Sequence, residues 1–271
     1  MSDLLVYPNQ TAINALTPKI GDMVLRDSDS SVLLWTGCVW REFKPNAFPP
    51  LSNDQSVSFD GTDEYLSIPD NLTKNAWDGQ DWTFSMFIKP DASEIDPADT
   101  SIRVFLSGNG SSPYIAFRAG VFRYINAGGS GRNGPNLTND WFHLMITNDS
   151  STGSSATSAS LYINGNFIDN TRIWQSAQGM RNVGRWYPTH ATGLPSASIV
   201  DEISIFDSVK QPSDLQNNGV PSDLRPHNPL IWYRCGDDSG DTTQIVKNKG
   251  NGGSSLDGTL HNTPSYTPDV P

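Results

Sequence analysis

The sequence predicts an all-β protein, a two-sheet antiparallel jelly-roll sandwich with a small β-rich module in front of it. Three observations lead there. Strand-like alternation of apolar and polar residues recurs about every ten residues, the spacing of a sandwich. Of the 29 acidic residues only Glu42, Glu64, Glu94 and Glu202 are glutamate, and Asp favours turns and caps over helix interiors. Gly and Pro number 23 and 19 in 271 residues, enough to break the chain into short elements. Hydrophobic residues make up only 36%, but 10% are aromatic, a share that disordered chains lack. The core is therefore expected to lean on Trp, Phe, Tyr and the branched aliphatics.

Residues 1–46 read as a separate module. Gln10–Leu16 is predicted to form one or two helical turns, which Pro18 stops. Asp22–Asp27, Val32–Trp35 and Val39–Phe43 are predicted strands, the last two joined at Thr36-Gly37. Three short strands carry little core of their own. Trp35 and Trp40 are accordingly expected to form an attachment interface that a partner surface covers. Residues 47–54 are a Pro-rich linker.

The sandwich is predicted over 55–235. Gln55–Asp60 and Glu64–Ile68 alternate on either side of a Gly61 turn. Trp82–Lys89 is the cleanest strand, with Trp82, Phe84, Met86 and Ile88 on one face. Arg103–Ser107, Tyr114–Arg118, Val121–Asn126 and Trp141–Asn148 follow. Asn164-Gly165, between two strand patterns, fits a two-residue type I′ hairpin. Asn182–Arg185, Ser198–Phe206 and Leu230–Arg234 complete the set. One short helix is predicted at Pro212–Asn218, with Pro at its first position and Gly219 as a left-handed stop. Residues 236–271 read as a polar tail packing on the jelly roll. Cys38 and Cys235 read as buried free thiols, with a disulfide as the alternative if the two ends of the fold meet.

Charge and hydropathy narrow the function classes. The net charge is −11, which argues against nucleic-acid backbones and anionic lipid as partners. It fits a solvated acidic surface or divalent cations. No stretch approaches eighteen apolar residues, so a membrane-spanning helix is excluded, and residues 1–20 lack the pattern of a secretory signal. No Gly-x-Ser-x-Gly elbow, metal-spaced histidine pair or zinc-type cysteine set is present. His143 is expected as a partly buried strand residue.

Several segments, in order, resemble concanavalin A-like, laminin-G-like jelly rolls: Ser58–Tyr65, Trp82–Pro90, Trp141–Leu144, Leu161–Gly165, Val183–Arg185 and Val200–Phe206. The resemblance covers roughly residues 54–235 and implies that fold. Ile20–Val24 with Leu34–Trp40 resembles small amino-terminal modules of bacteriophage virion proteins, and the ending, Leu230–Tyr233 with Asp257–Leu260 and Asp269–Pro271, resembles the jelly-roll proteins of marine and cyanobacterial phages. That resemblance implies a non-enzymatic virion surface protein, either capsid decoration or a short fibre. Its expected partners are capsid or tail proteins and further copies of itself, with a host-polysaccharide-binding adhesin as the alternative and a glycan hydrolase as a distant third. Hydrolases of the superfamily carry Glu-x-Asp-x-x-Glu, which places acid and nucleophile roughly 5 Å apart. Here no two glutamates share a strand, and Glu202 is expected to face away from Asp201 and Asp207. The resemblance also implies a structural calcium ion near Asp60 and Asp201, since it sets their segments side by side. Trp174, Trp186 and Tyr187, with Tyr114, are the candidate glycan platforms.

Overall fold

The computed structural model describes residues 5–7, 10–14, 16–17, 23–26, 31–35, 40–43, 51–69, 80–108, 114–125, 130–152, 159–171, 181–185 and 193–271. The chain divides into two compact units, Met1–Leu51 and Ser52–Pro271. The boundary falls within the stretch expected as a linker.

The first unit is a four-stranded sheet with one short helix. Strand β1 (Leu5–Tyr7) runs parallel to β2 (Met23–Arg26), which pairs antiparallel with β3 (Ser31–Trp35), and β3 with β4 (Trp40–Phe43). The sequence pattern missed β1, because three residues carry no alternation to detect. Helix α1 (Gln10–Asn14) contributes Ile13, which is buried with Val24 and Leu33, and Leu16 packs against them. Trp35 and Trp40 are partners in the register of β3 and β4.

The second unit is a sandwich. One sheet is built on β7 (Trp82–Lys89), flanked by β12 (Phe142–Asn148) and β17 (Ile199–Phe206). Beyond β12 lie β13 (Ala159–Ile163) and β14 (Asn166–Thr171); beyond β17 lie β5 (Ser56–Ser58) and β23 (Ser265–Thr267). Strand β20 (Ile231–Tyr233) shares the β5 side of β17. The facing sheet carries β6 (Tyr65–Ser67), β8 (Ile102–Ser107), β9 (Tyr114–Arg118), β10 (Val121–Ile125) and β11 (Gly131–Asn136). It also holds β15 (Asn182–Val183), β16 (Gly193–Pro195), β21 (Ile245–Val246) and β22 (Gly258–His261).

The core lies between the sheets. Trp82, Phe84, Met86 and Ile88 are all fully buried, the expected stripe of β7. Phe142 of one sheet meets Phe117 and Phe122 of the other edge-on, each with ring centroids 6.4 Å apart. The Asn164-Gly165 hairpin forms as predicted, with φ of 49° and 79°, the signature of a type I′ turn.

Three expectations are corrected. Helix α2 is only Pro212–Leu215. Gly219, at φ 84°, does not cap it. It sits in a second Asn-Gly hairpin, Asn218-Gly219, between β18 (Gln216–Asn217) and β19 (Val220–Pro221). Residues 236–271, expected as a polar tail packing on the jelly roll, supply strands to both sheets: β22 lies between β6 and β21, and β23 forms an edge beside β5. The outer side of β7 is also covered, and Thr83, Ser85 and Phe87 are buried. A second apolar cluster of Met145, Phe206, Leu215, Leu224 and Trp232 lies on that side, supplied in part by the excursion after β17. Cys235 is a buried free thiol within the core cluster; Cys38 lies outside the described residues.

Candidate functional site

A cleft of about 520 Å³ opens where β5, β7 and β17 meet at one end of the sandwich. That is within the range of small-ligand sites. Each wall follows from local chemistry. Past β5 the chain turns at Asp60-Gly61, where Asp60 Oδ1 accepts the Thr62 amide at 2.7 Å, an Asx turn. Gly61 holds φ 75°, and a Cβ there would lie 2.9 Å from Ala197 Cβ, so only glycine lets the turn settle against the opposite wall.

The second wall is the turn after β7. Asp91 Oδ1 accepts both the amide and the hydroxyl of Ser93, at 2.9 and 2.7 Å. These bonds hold the Asp91 carboxyl below the ordinary carboxylate range. The next residue but two, Glu94, is buried and ties this turn to the third wall. Its carboxylate accepts the Ala197 amide at 2.6 Å and the hydroxyls of Ser196 and Ser198 at 2.9 Å each. Burial nevertheless raises its pKa.

The last wall comes from the chain's final residues. Asp269 meets Lys89 Nζ at 2.6 Å and accepts the Trp141 indole N–H at 2.9 Å. Ser56 Oγ donates to its backbone carbonyl. Asn139 completes the polar lining, and Phe59, Pro90, Ala92, Ala197 and Ile199 give it apolar patches. The cleft thus offers carboxylate acceptors, an amide, a hydroxyl and small apolar surfaces, a set suited to a polyhydroxylated ligand.

Residues 60–216 match the sequence profile of the concanavalin A-like lectin/glucanases superfamily. The chain belongs to that superfamily. A proposed carbohydrate-binding protein of Bacteroides ovatus shares the fold at 17% identity and a TM-score of 0.55, over 80% of this chain. The match spans 60% of the Bacteroides ovatus chain. Domain 4 of a Geobacillus stearothermophilus arabinanase, solved with arabinotriose, aligns at 17% identity and a TM-score of 0.39, over 58% of this chain and 73% of that one. Trypanosoma rangeli sialidase aligns at 12% identity and a TM-score of 0.37, over 50% of this chain and 22% of that one. No curated protein matches the sequence.

In this lectin/glucanase-type sandwich the two aspartates expected to share a calcium ion do not meet. Their strands are neighbours: Ser58 pairs with Ile199 and Val57 with Val200. That register sets Asp201 level with Ser56 and Asp60 level with Ala197, four residues apart along the strand, or about 13 Å. Asp60 is exposed and Asp201 fully buried. Among the described residues no cluster of three His, Cys, Asp or Glu is arranged to hold a metal ion.

Glu202 is also not where alternation puts it. Between Asp201 and Ser204 the register of β17 against β7 shifts by one residue, a bulge, and Glu202 takes φ 48°. Asp201 and Glu202 are both buried. Glu202 accepts from Trp232 Nε1 and lies 3.1 Å from Arg234 Nε. Arg234 also reaches Asp237 at 3.0 Å.

His143, expected as partly buried, is wholly buried, with Ser85 Oγ 2.6 Å from its Nε2. Burial lowers its pKa to about 3, and its Nδ1 has no hydrogen-bond partner. Ser85 and His143 stand at the distance of a nucleophile and its base. Both are closed off from solvent, and among the described residues no carboxylate bonds to the ring, so the pair acts as a core hydrogen bond.

Trp174, Trp186 and Tyr187 lie outside the described residues. Tyr114 is half-buried and packs against Val104 and Ala116. Sequence reasoning missed Lys89, Asp91, Ser93, Asn139 and Asp269. The Asp-x-Ser spacing of 91–93 was a usable sign of an Asx turn, whereas Asp269 acts on Lys89 across 180 positions and leaves no local trace.

Proposed function

We propose that the protein is a non-catalytic carbohydrate-binding module that takes a glycan in the cleft between Asp60, Asp91 and Asn139. Membership of a lectin/glucanase superfamily supports a sugar ligand. The observation that carries the reading is the cleft lining. Sugar hydroxyls pair well with carboxylates, amides and hydroxyls held by a rigid scaffold. Here Asp91 and Asp60 are each held by their own turn, and Glu94 bolts two walls together. The buried Asp201–Glu202 and Ser85–His143 pairs have no route to a substrate, which favours binding over hydrolysis. The superfamily and the shared fold favour the adhesin-like alternative over the virion scaffold expected first, because they speak to a lectin-like domain and not to a particle.

Titration of the full chain with a panel of oligosaccharides tests the reading. Binding by calorimetry should be lost or weakened about tenfold in Asn139→Ala and Asp91→Ala, from loss of one neutral or charged hydrogen bond each. Unchanged affinity in both variants would move the site elsewhere.

A further inference from the structure

We propose that this cleft selects by charge, favouring a glycan with a free ammonium group, an amino sugar, and rejecting uronates and sulfated sugars. The inference rests on the reading of the cleft as a sugar site and deepens it. The lining holds three carboxylates, Asp60, Asp91 and Asp269, against one cation, Lys89. Lys89 is matched by Asp269 at 2.6 Å, so that pair is neutral and its charge is spent inside the wall. Asp60 and Asp91 are left over. Each uses Oδ1 for its own turn, and both residues are exposed at the cleft.

The surroundings do not reverse the sign. Arg103, the cation that acts on Asp91, is engaged by Asp99 at 3.2 Å. Asp63 and Glu64 follow Asp60 in the same loop, and the whole chain carries −11. An anionic ligand entering here would shed water against two uncompensated carboxylates, while an ammonium would gain two partners. Partly exposed ion pairs are individually weak, so the selection should be a several-fold preference that salt erodes.

The test compares a fully deacetylated glucosamine tetramer, its N-acetylated counterpart and a galacturonate tetramer on the full-length chain. Amide shifts at Ser93 and Asn139 locate binding, and calorimetry measures it. At low salt the glucosamine tetramer should bind about three- to tenfold more tightly than the acetylated one, with the galacturonate weakest. The preference should shrink in 0.5 M salt, a concentration chosen to shorten the Debye length severely. Asp60→Asn and Asp91→Asn keep the Oδ1 acceptor of each turn, so both should fold, and each should remove part of the preference. Equal binding of the two glucosamine tetramers, or a preference untouched in the double variant, overturns the charge selection while leaving the sugar site. Absence of any shift at Ser93 and Asn139 with all three overturns the sugar site and the selection together.

Discussion

Asp201 and Glu202 are adjacent, buried and of the same charge, with one arginine between them and Asp237. Both cannot ionise cheaply. Glu202 has Arg234 and the Trp232 indole, whereas Asp201 Oδ2 has no hydrogen-bond partner. Asp201 therefore keeps the proton, its pKa pushed well up by burial and by the charge of Glu202. In the unfolded chain it ionises near about pH 4. The stability it contributes is present below that pH and drains as pH rises toward the folded value. Asp201→Asn should thus gain on the wild type as pH rises, with a melting-temperature difference larger at pH 7.5 than at pH 4. A difference independent of pH would mean that Asp201 is ionised in the fold. His143 works in the opposite direction. Its pKa falls to about 3 in the fold, so its share of stability is complete above about pH 6.5 and is lost as pH falls toward 3. His143→Gln keeps an acceptor for Ser85 and should flatten that acid limb in pH-dependent melts. Residue types were legible here, but their surroundings were not. Strict alternation turned Glu202 outward, and a single extra residue in β17 turned it in.

At the scale of elements, what could be read was whatever local chemistry determines. Strand β7 was legible to the residue, because eight alternating positions with four large apolar side chains admit one reading. Phe84→Ala should cost about 3–5 kcal/mol, or a drop of roughly 10 °C in melting temperature. An unchanged melt would show that the stripe is not the centre of the core. The Asn164-Gly165 hairpin was equally legible, since only φ above zero at both positions fits the turn. Gly165→Ala forces that backbone on a residue with a Cβ, which would also lie 3.1 Å from Gln216 Nε2. A loss of about 1 kcal/mol is expected by denaturant melt. Strands β11, β16 and β21 to β23 escaped notice. They are short, polar or glycine-rich, as in Gly131–Asn136, and are held by the neighbours they pair with and not by their own propensity.

For the molecule as a whole, the two units have separate cores, Ile13, Val24 and Leu33 in one and the inter-sheet cluster in the other. Arg234 bonds to the Ser52 carbonyl, and Asp237 Oδ1 accepts the amides of Asp54 and Gln55 at 2.9 Å each. The sandwich therefore anchors its own first residues. A chain beginning at Ser52 should give a cooperative melt and retain the oligosaccharide affinity of the full protein; an aggregated or molten product would show that residues 1–51 are needed for the fold. The overall architecture was readable because many weak strand signals add up in order. The cleft was not, because its lining comes from five distant parts of the chain.

The placement of β22 and β23 has a consequence for biosynthesis. Ser67 waits for Thr259, 192 positions later, and β5 waits for β23. At ribosomal speeds of about 5–20 residues per second, β6 lies without that neighbour for roughly 10–40 s after it is made. The first unit can close while synthesis continues, but the sandwich cannot complete its sheets until β22 and β23 have been made. In that interval the nascent chain carries apolar, unpaired strand edges, the condition under which chaperones bind. Ribosome-stalled chains ending before Gly258 should be captured by such holdases, and chains extended past Pro271 by a linker should not.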